Sequence, residues 1–160
     1  MILLSLFLSS TLFAKSIILE VYTSTVCLCS PEQILALKEV DKVLKGADQV
    51  QKKMIFVDGV AKRSDAQKLF FSMDLENWFF YLDAENSGVK KNNIEQTPTA
   101  ILWVDGELGY KGSILGKHKG NKEYPFLLAA VKEAKAGKKI SIKEGKGIGC
   151  ALPNLDFKWK

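Results

Sequence analysis

Residues 16–22 run Ser-Ile-Ile-Leu-Glu-Val-Tyr, a β-branched apolar stretch that predicts a buried strand. The pattern then changes period. Ser30-Pro31-Glu32-Gln33 combines an N-cap serine, a proline at the first helical position and a glutamine that completes a capping box. Ile34, Leu37, Val40 and Leu44 fall on one face of the helix that follows, and Gly46 stops it. Residues 54–57 form the next apolar run, closing at Asp58-Gly59, and Ser64-Asp65-Ala66-Gln67 repeats the capping-box pattern to open a second helix to residue 71. Residues 79–82 read as a short strand. Residues 99–104 and 107–114 flank Asp105-Gly106, which supplies the positive φ angles of a tight hairpin. A closing helix is expected near residues 123–136, with Phe126, Leu127, Ala130, Val131 and Ala134 as its apolar face and Gly137 as its stop. Residues 140–142 leave a last β-like run.

The order is strand, helix, strand, helix, strand, hairpin, helix. Such βαβ alternation ending in a hairpin and a helix implies an α/β fold, a mixed central sheet with helices on both faces. The 160 residues suit one domain, and 47% hydrophobic content is enough for one core. A net charge of +5 changes little, because the lysines are spread along the chain without clustered arginine or interleaved aromatics. No nucleic-acid partner is expected. Residues 2–13 are apolar but shorter than the roughly 20 residues a membrane-spanning helix needs. They suit the core of a secretory signal ending at Ala14. The expected division is therefore a signal peptide over 1–14, a domain over 15–137 and a tail over 138–160 carrying Cys150. The mature protein is expected to be soluble, and periplasmic or secreted.

Three cysteines, at 27, 29 and 150, are too few for a disulfide scaffold and are candidates for chemistry. Cys27-Leu28-Cys29 lies in the loop between the first strand and the capped helix. A helix N-terminus carries unpaired N–H groups and about half a positive charge, which stabilises a thiolate. Cys27 is expected to be the more exposed of the pair. A bond between Cys27 and Cys29 would close a small, strained and oxidising ring. Cys150 has three open readings: a resolving thiol that folds back to the loop, a partner for one of the pair, or a structural tail residue. Thr97-Pro98, directly before a strand, suits a cis bond in a tight turn facing the cysteines. Trp78, Trp103, Phe79 and Phe80 read as core and rim packing, and Asp83 as a turn and capping residue. No metal is expected. The alternative is a soft copper or zinc site of Cys27, Cys29 and His118, the last in the Gly116-Lys-His-Lys loop after the hairpin.

The chain resembles the thioredoxin-fold redoxin group related to alkyl hydroperoxide reductase and thiol-specific antioxidant proteins. The likeness is carried by the segment from Tyr22 to Cys29, Phe80-Tyr-Leu-Asp83, Gln96-Thr-Pro-Thr-Ala100, the segment from Val104 to Ile114 and the terminal Gly149-Cys-Ala-Leu152. It implies a thioredoxin-like three-layer fold, a cis-Pro98 beside a redox-active Cys27, antioxidant activity and a tail cysteine with a recurring place. The peroxidase pattern Pro-x-x-x-Thr-x-x-Cys is not matched: Glu20 stands at its proline and Ser24 at its threonine, and Arg63 is the lone arginine. The expectation is an extracytoplasmic thiol-disulfide oxidoreductase with Cys27 as nucleophile and Cys29 or Cys150 as resolving thiol. Its partners would be protein or small-molecule disulfides or oxidants, with a membrane-linked electron donor as a further candidate. The rival is a copper-delivery protein similar to the thioredoxin-like ones of oxidase assembly, and the blander third reading is a non-catalytic binding module.

Overall fold

The computed structural model describes residues 15–27, 30–59, 62–147 and 149–152. In chain order the elements are β1 (Ile17–Thr23), α1 (Pro31–Leu44), β2 (Val50–Phe56), α2 (Arg63–Ser72), β3 (Phe79–Leu82), α3 (Ser87–Lys91), β4 (Gln96–Thr97) and β5 (Thr99–Val104). β6 (Glu107–Gly112), β7 (Gly116–His118), β8 (Asn121–Tyr124), α4 (Phe126–Lys135), β9 (Glu144–Gly145) and β10 (Cys150–Ala151) complete it. The main sheet has the order β3-β2-β1-β5-β6-β9. β1, β2 and β3 are parallel, β5 is antiparallel to both β1 and β6, and β9 joins β6 in parallel. This is the mixed sheet expected from the βαβ alternation.

Strand side chains alternate between two unequal layers. Ile17, Leu19, Val21, Met54, Phe56, Ala100 and Leu102 face α1, α2 and α4 in the larger core. Tyr22, Ile55, Val57 and Ile101 face the other way, where Val89 of α3 and Ile94 cover them. Asp83 caps that short helix, accepting from Ser87 Oγ at 3.1 Å and from the Val89 N–H at 2.9 Å. Trp78 is buried, its indole N–H donating to Asp41 at 2.7 Å, while Phe79 on edge strand β3 is exposed. Among the described residues no helix is long and apolar enough to cross a membrane.

Local sequence decided where some of the elements begin. Ser30 and Gln33 form the expected reciprocal capping box at α1. Asp105 and Gly106 take φ values of 53° and 80° in the β5–β6 turn. The second capping box does not form. The Lys62 N–H bonds back to the Gly59 carbonyl at 2.9 Å, so the chain is already turning and Ser64 lies inside α2. The last helix also starts later than expected, because residues 121–124 pair with β7 and Pro125 serves as N-cap. Residues 140–142 form no strand. Ile140 enters the core, and Ser141 is held by Glu133 through two hydrogen bonds of 2.8 and 2.7 Å, which moves sheet pairing on to β9.

Candidate functional site

Parallel β1 and β2 end side by side, with the Val57 N–H bonded to the Thr23 carbonyl at 2.9 Å. The loop after β1 therefore meets the residue that closes β2, Asp58. Its carboxylate accepts from Ser24 Oγ at 3.2 Å, from the Thr25 N–H at 2.9 Å and from Thr25 Oγ1 at 2.6 Å. The Val26 N–H then donates to Ser24 Oγ at 3.2 Å. Asp58 is only 7% exposed, so these donors offset the cost of removing its charge from water. Hydrogen bonds to a charged group contribute about 1.5–3 kcal/mol each. This anchor fixes the three residues directly before Cys27. In the sequence Asp58 reads only as the end of a strand; the hydroxyl-rich Thr23-Ser24-Thr25 is the available signal.

Opposite the loop, the Thr97–Pro98 peptide bond is cis, as expected. Thr97 is almost fully buried, and its carbonyl oxygen lies 3.2 Å from Cys27 Sγ. Thr97 Oγ1 has no hydrogen-bond partner among the described residues, so this residue meets the site through its main chain.

The structure joins Cys27 to Cys150 in a disulfide, with Cα atoms 5.9 Å apart across 123 positions of sequence. Cys27 is 7% exposed rather than open to solvent. The cause is the tail. β10 lies antiparallel on β4 with Cys150 opposite Thr97 and Ala151 opposite Gln96, and the Leu152 N–H bonds to the Glu95 carbonyl at 2.9 Å. The tail can lie this close because Gly149 lacks a Cβ, which would stand 2.8 Å from the Thr97 oxygen. Leu28 and Cys29 lie outside the described residues.

A groove of about 790 Å³ runs past the disulfide, walled by Pro98 and Leu115 and bearing charges of both signs, Glu32 and Glu123 with Lys117 and Lys146. Glu32 sits in the first turn of α1, where its own backbone N–H and then the Ser30 hydroxyl hold its carboxyl below the usual range. Glu32 thus places a negative charge in the same groove as the disulfide. His118 is not among the groove residues. Its ring packs 4.9 Å from Tyr124 and 5.8 Å from Phe126, and among the described residues no group of three His, Cys, Asp or Glu side chains is gathered to hold a metal. Tyr22, whose hydroxyl is pushed up to about 12 first by burial and then by the Glu20 charge, accepts a bond from Asn92 and belongs to the smaller core.

No family model matches the chain, and no curated protein matches it in sequence. Solved structures do match. An uncharacterized conserved protein from Geobacillus kaustophilus superposes with a TM-score of 0.70 at 15% identity, covering 91% of this chain and 78% of that one. A thioredoxin-like protein from Aeropyrum pernix superposes with a TM-score of 0.52 at 10% identity, covering 78% and 79%. This chain has a thioredoxin-like fold. A second thioredoxin-like match is a secreted Mycobacterium tuberculosis disulfide oxidoreductase described as homologous to Escherichia coli DsbE, with a TM-score of 0.51, 12% identity and coverage of 76% and 81%. Within the thioredoxin-like fold, the cysteine loop after β1 and the cis-proline turn before β5 converge at the carboxyl end of the parallel strands, where open α/β sheets place their sites.

Proposed function

We propose that this protein is an extracytoplasmic thiol-disulfide oxidoreductase, with Cys27 as nucleophile and Cys150 as resolving thiol. The observation that carries the reading is the bond between these two cysteines at the start of α1, beside cis-Pro98. In the reduced protein the Cys27 thiolate attacks one sulfur of a partner disulfide. A Cys27–partner bond forms, the partner's own S–S bond breaks, and its second sulfur leaves as thiolate with the electron pair. The Cys150 thiolate then attacks Cys27 Sγ, closes the Cys27–Cys150 bond and releases the partner as thiolate. The partner disulfide gains two electrons and the cysteine pair loses two; the reverse sequence oxidises a partner dithiol.

The fold shared with a secreted disulfide oxidoreductase supports this class of chemistry. The apolar segment over residues 2–13 supports export, as does a disulfide between distant cysteines, which suits an oxidising compartment. Glu20 argues against a peroxidase, because it is not in the cysteine loop at all. It sits within β1, bonded to Lys53 and to the Trp103 indole at 3.2 Å each. Thiol trapping of the purified protein across a glutathione potential series tests the proposal. Reversible, two-electron, joint protection of Cys27 and Cys150 is expected; a Cys27 that never exchanges would overturn it.

A further inference from the structure

The tail makes the contacts that an exchanging partner would have to make. Residues 149–151 present a cysteine to Cys27 from an extended strand, with Cys150 opposite Thr97 across the β4–β10 pair. One atom governs the fit. The Thr97 carbonyl oxygen lies 3.2 Å from Cys27 Sγ, and it would lie 2.8 Å from a Cβ at position 149. Gln96 Cδ would stand 3.3 Å from the same Cβ. Contacts below about 3 Å against main-chain oxygen force displacement, since the main chain cannot swing aside as a flexible side chain can. A strand with a side chain at that position must stand away from β4, and that movement carries its cysteine away from Cys27.

Resting on the oxidoreductase reading, we infer that residues 149–151 occupy the place of the protein's disulfide partner. β4 then selects an extended partner segment with glycine directly before its exchanging cysteine. The substrate class is a Gly-Cys peptide or protein segment in disulfide form. Such a segment docks on β4 once the Cys27–Cys150 bond has been opened by a dithiol donor and the tail has lifted. Exchange then proceeds as above: the Cys27 thiolate bonds to the segment's cysteine sulfur, the sulfur formerly paired with it leaves as thiolate, and Cys150 later resolves the intermediate.

The test uses the full chain carrying Cys29→Ser and Cys150→Ser, so that Cys27 is its sole thiol. The probes are peptides Lys-Gly-Ile-Xaa-Cys-Ala-Leu, with Xaa glycine, alanine or valine and the cysteine activated as a thionitrobenzoate disulfide. Release of the coloured thiolate gives the rate, mass spectrometry locates the adduct, and 2-mercaptoethanol gives each peptide's intrinsic reactivity. After that correction the glycine peptide should react at least about five-fold faster than the alanine peptide, with valine slower still. Equal corrected rates with an adduct on Cys27 would overturn the glycine selection while leaving the oxidoreductase reading standing. No adduct with any peptide would overturn both. In the otherwise native chain, Gly149→Ala should make the Cys27–Cys150 bond about five-fold easier to reduce in a dithiothreitol titration. An unchanged midpoint would also overturn the fit argued here.

Discussion

On one side of the disulfide, the loop carrying Cys27 is tied to a buried carboxylate by three donors from Ser24 and Thr25 and flows into a 14-residue helix with a reciprocal cap. On the other, the segment carrying Cys150 rests on a two-residue strand, one further backbone hydrogen bond at Leu152 and the close approach of Gly149. The loop follows directly from β1 of the main sheet, whereas residues 150–151 are laid along a short strand outside it. That asymmetry suits the proposed thiol exchange, in which Cys27 holds its position while Cys150 is displaced and returns. Few buried contacts and an exposed position are what make a segment open at low free-energy cost.

The largest effect is expected at the fixed side. Cys27→Ser should abolish turnover of disulfide substrates, whereas removal of Cys150 should still leave a mixed disulfide on Cys27 detectable by mass spectrometry. Cys150→Ser should leave Cys27 able to form mixed disulfides but unable to release them, so that trapped adducts accumulate. Cys27, which cannot be alkylated while it is held in the disulfide, should become open to alkylation in this variant, because the strand pairing left to cover it is only two residues long. Third comes the anchor. Asp58→Ala strips the loop of a buried, charge-assisted acceptor and should lower unfolding stability by about 2–3 kcal/mol in urea. Asp58→Asn should recover part of that loss, since its amide oxygen still accepts from the Thr25 N–H. If Asp58→Ala leaves both stability and the Cys27 exchange rate unchanged, the loop is not held as described. The smallest effect belongs to Thr97→Val. Thr97 reaches Cys27 through its carbonyl, and its hydroxyl is buried without a partner among the described residues. Stability should therefore change by no more than about 0.5 kcal/mol, or improve, in the same urea experiment.

What could be read from the sequence follows the same division. α1 was legible because its cap is local: Ser30, Pro31 and Gln33 declare it within four residues. The β5–β6 hairpin was legible because Asp105-Gly106 demands one turn geometry. The first strand and the cysteine loop could be placed for the same reason. Asp58 was not visible as an anchor, because its partners lie 33 and 34 positions earlier and only the parallel pairing of β1 with β2 brings them together. The β10–β4 pair was hidden more deeply. Strands of two residues carry no periodicity, and the glycine that permits their contact is ordinary in a Lys- and Gly-rich tail. The expected exposure of Cys27 failed on that account. The loop's own residues leave Cys27 open, and the cover comes from the far end of the chain.

The proposed chemistry requires Cys27 and Cys150 to form one exchangeable pair. Disulfide mapping of the natively purified protein, repeated across a dithiothreitol titration, tests it most directly. We predict a single two-electron transition in which Cys27 and Cys150 lose and regain protection together. A Cys27–Cys29 bond throughout the series, or a Cys27–Cys150 bond that never opens while the protein still exchanges disulfides, would contradict the account.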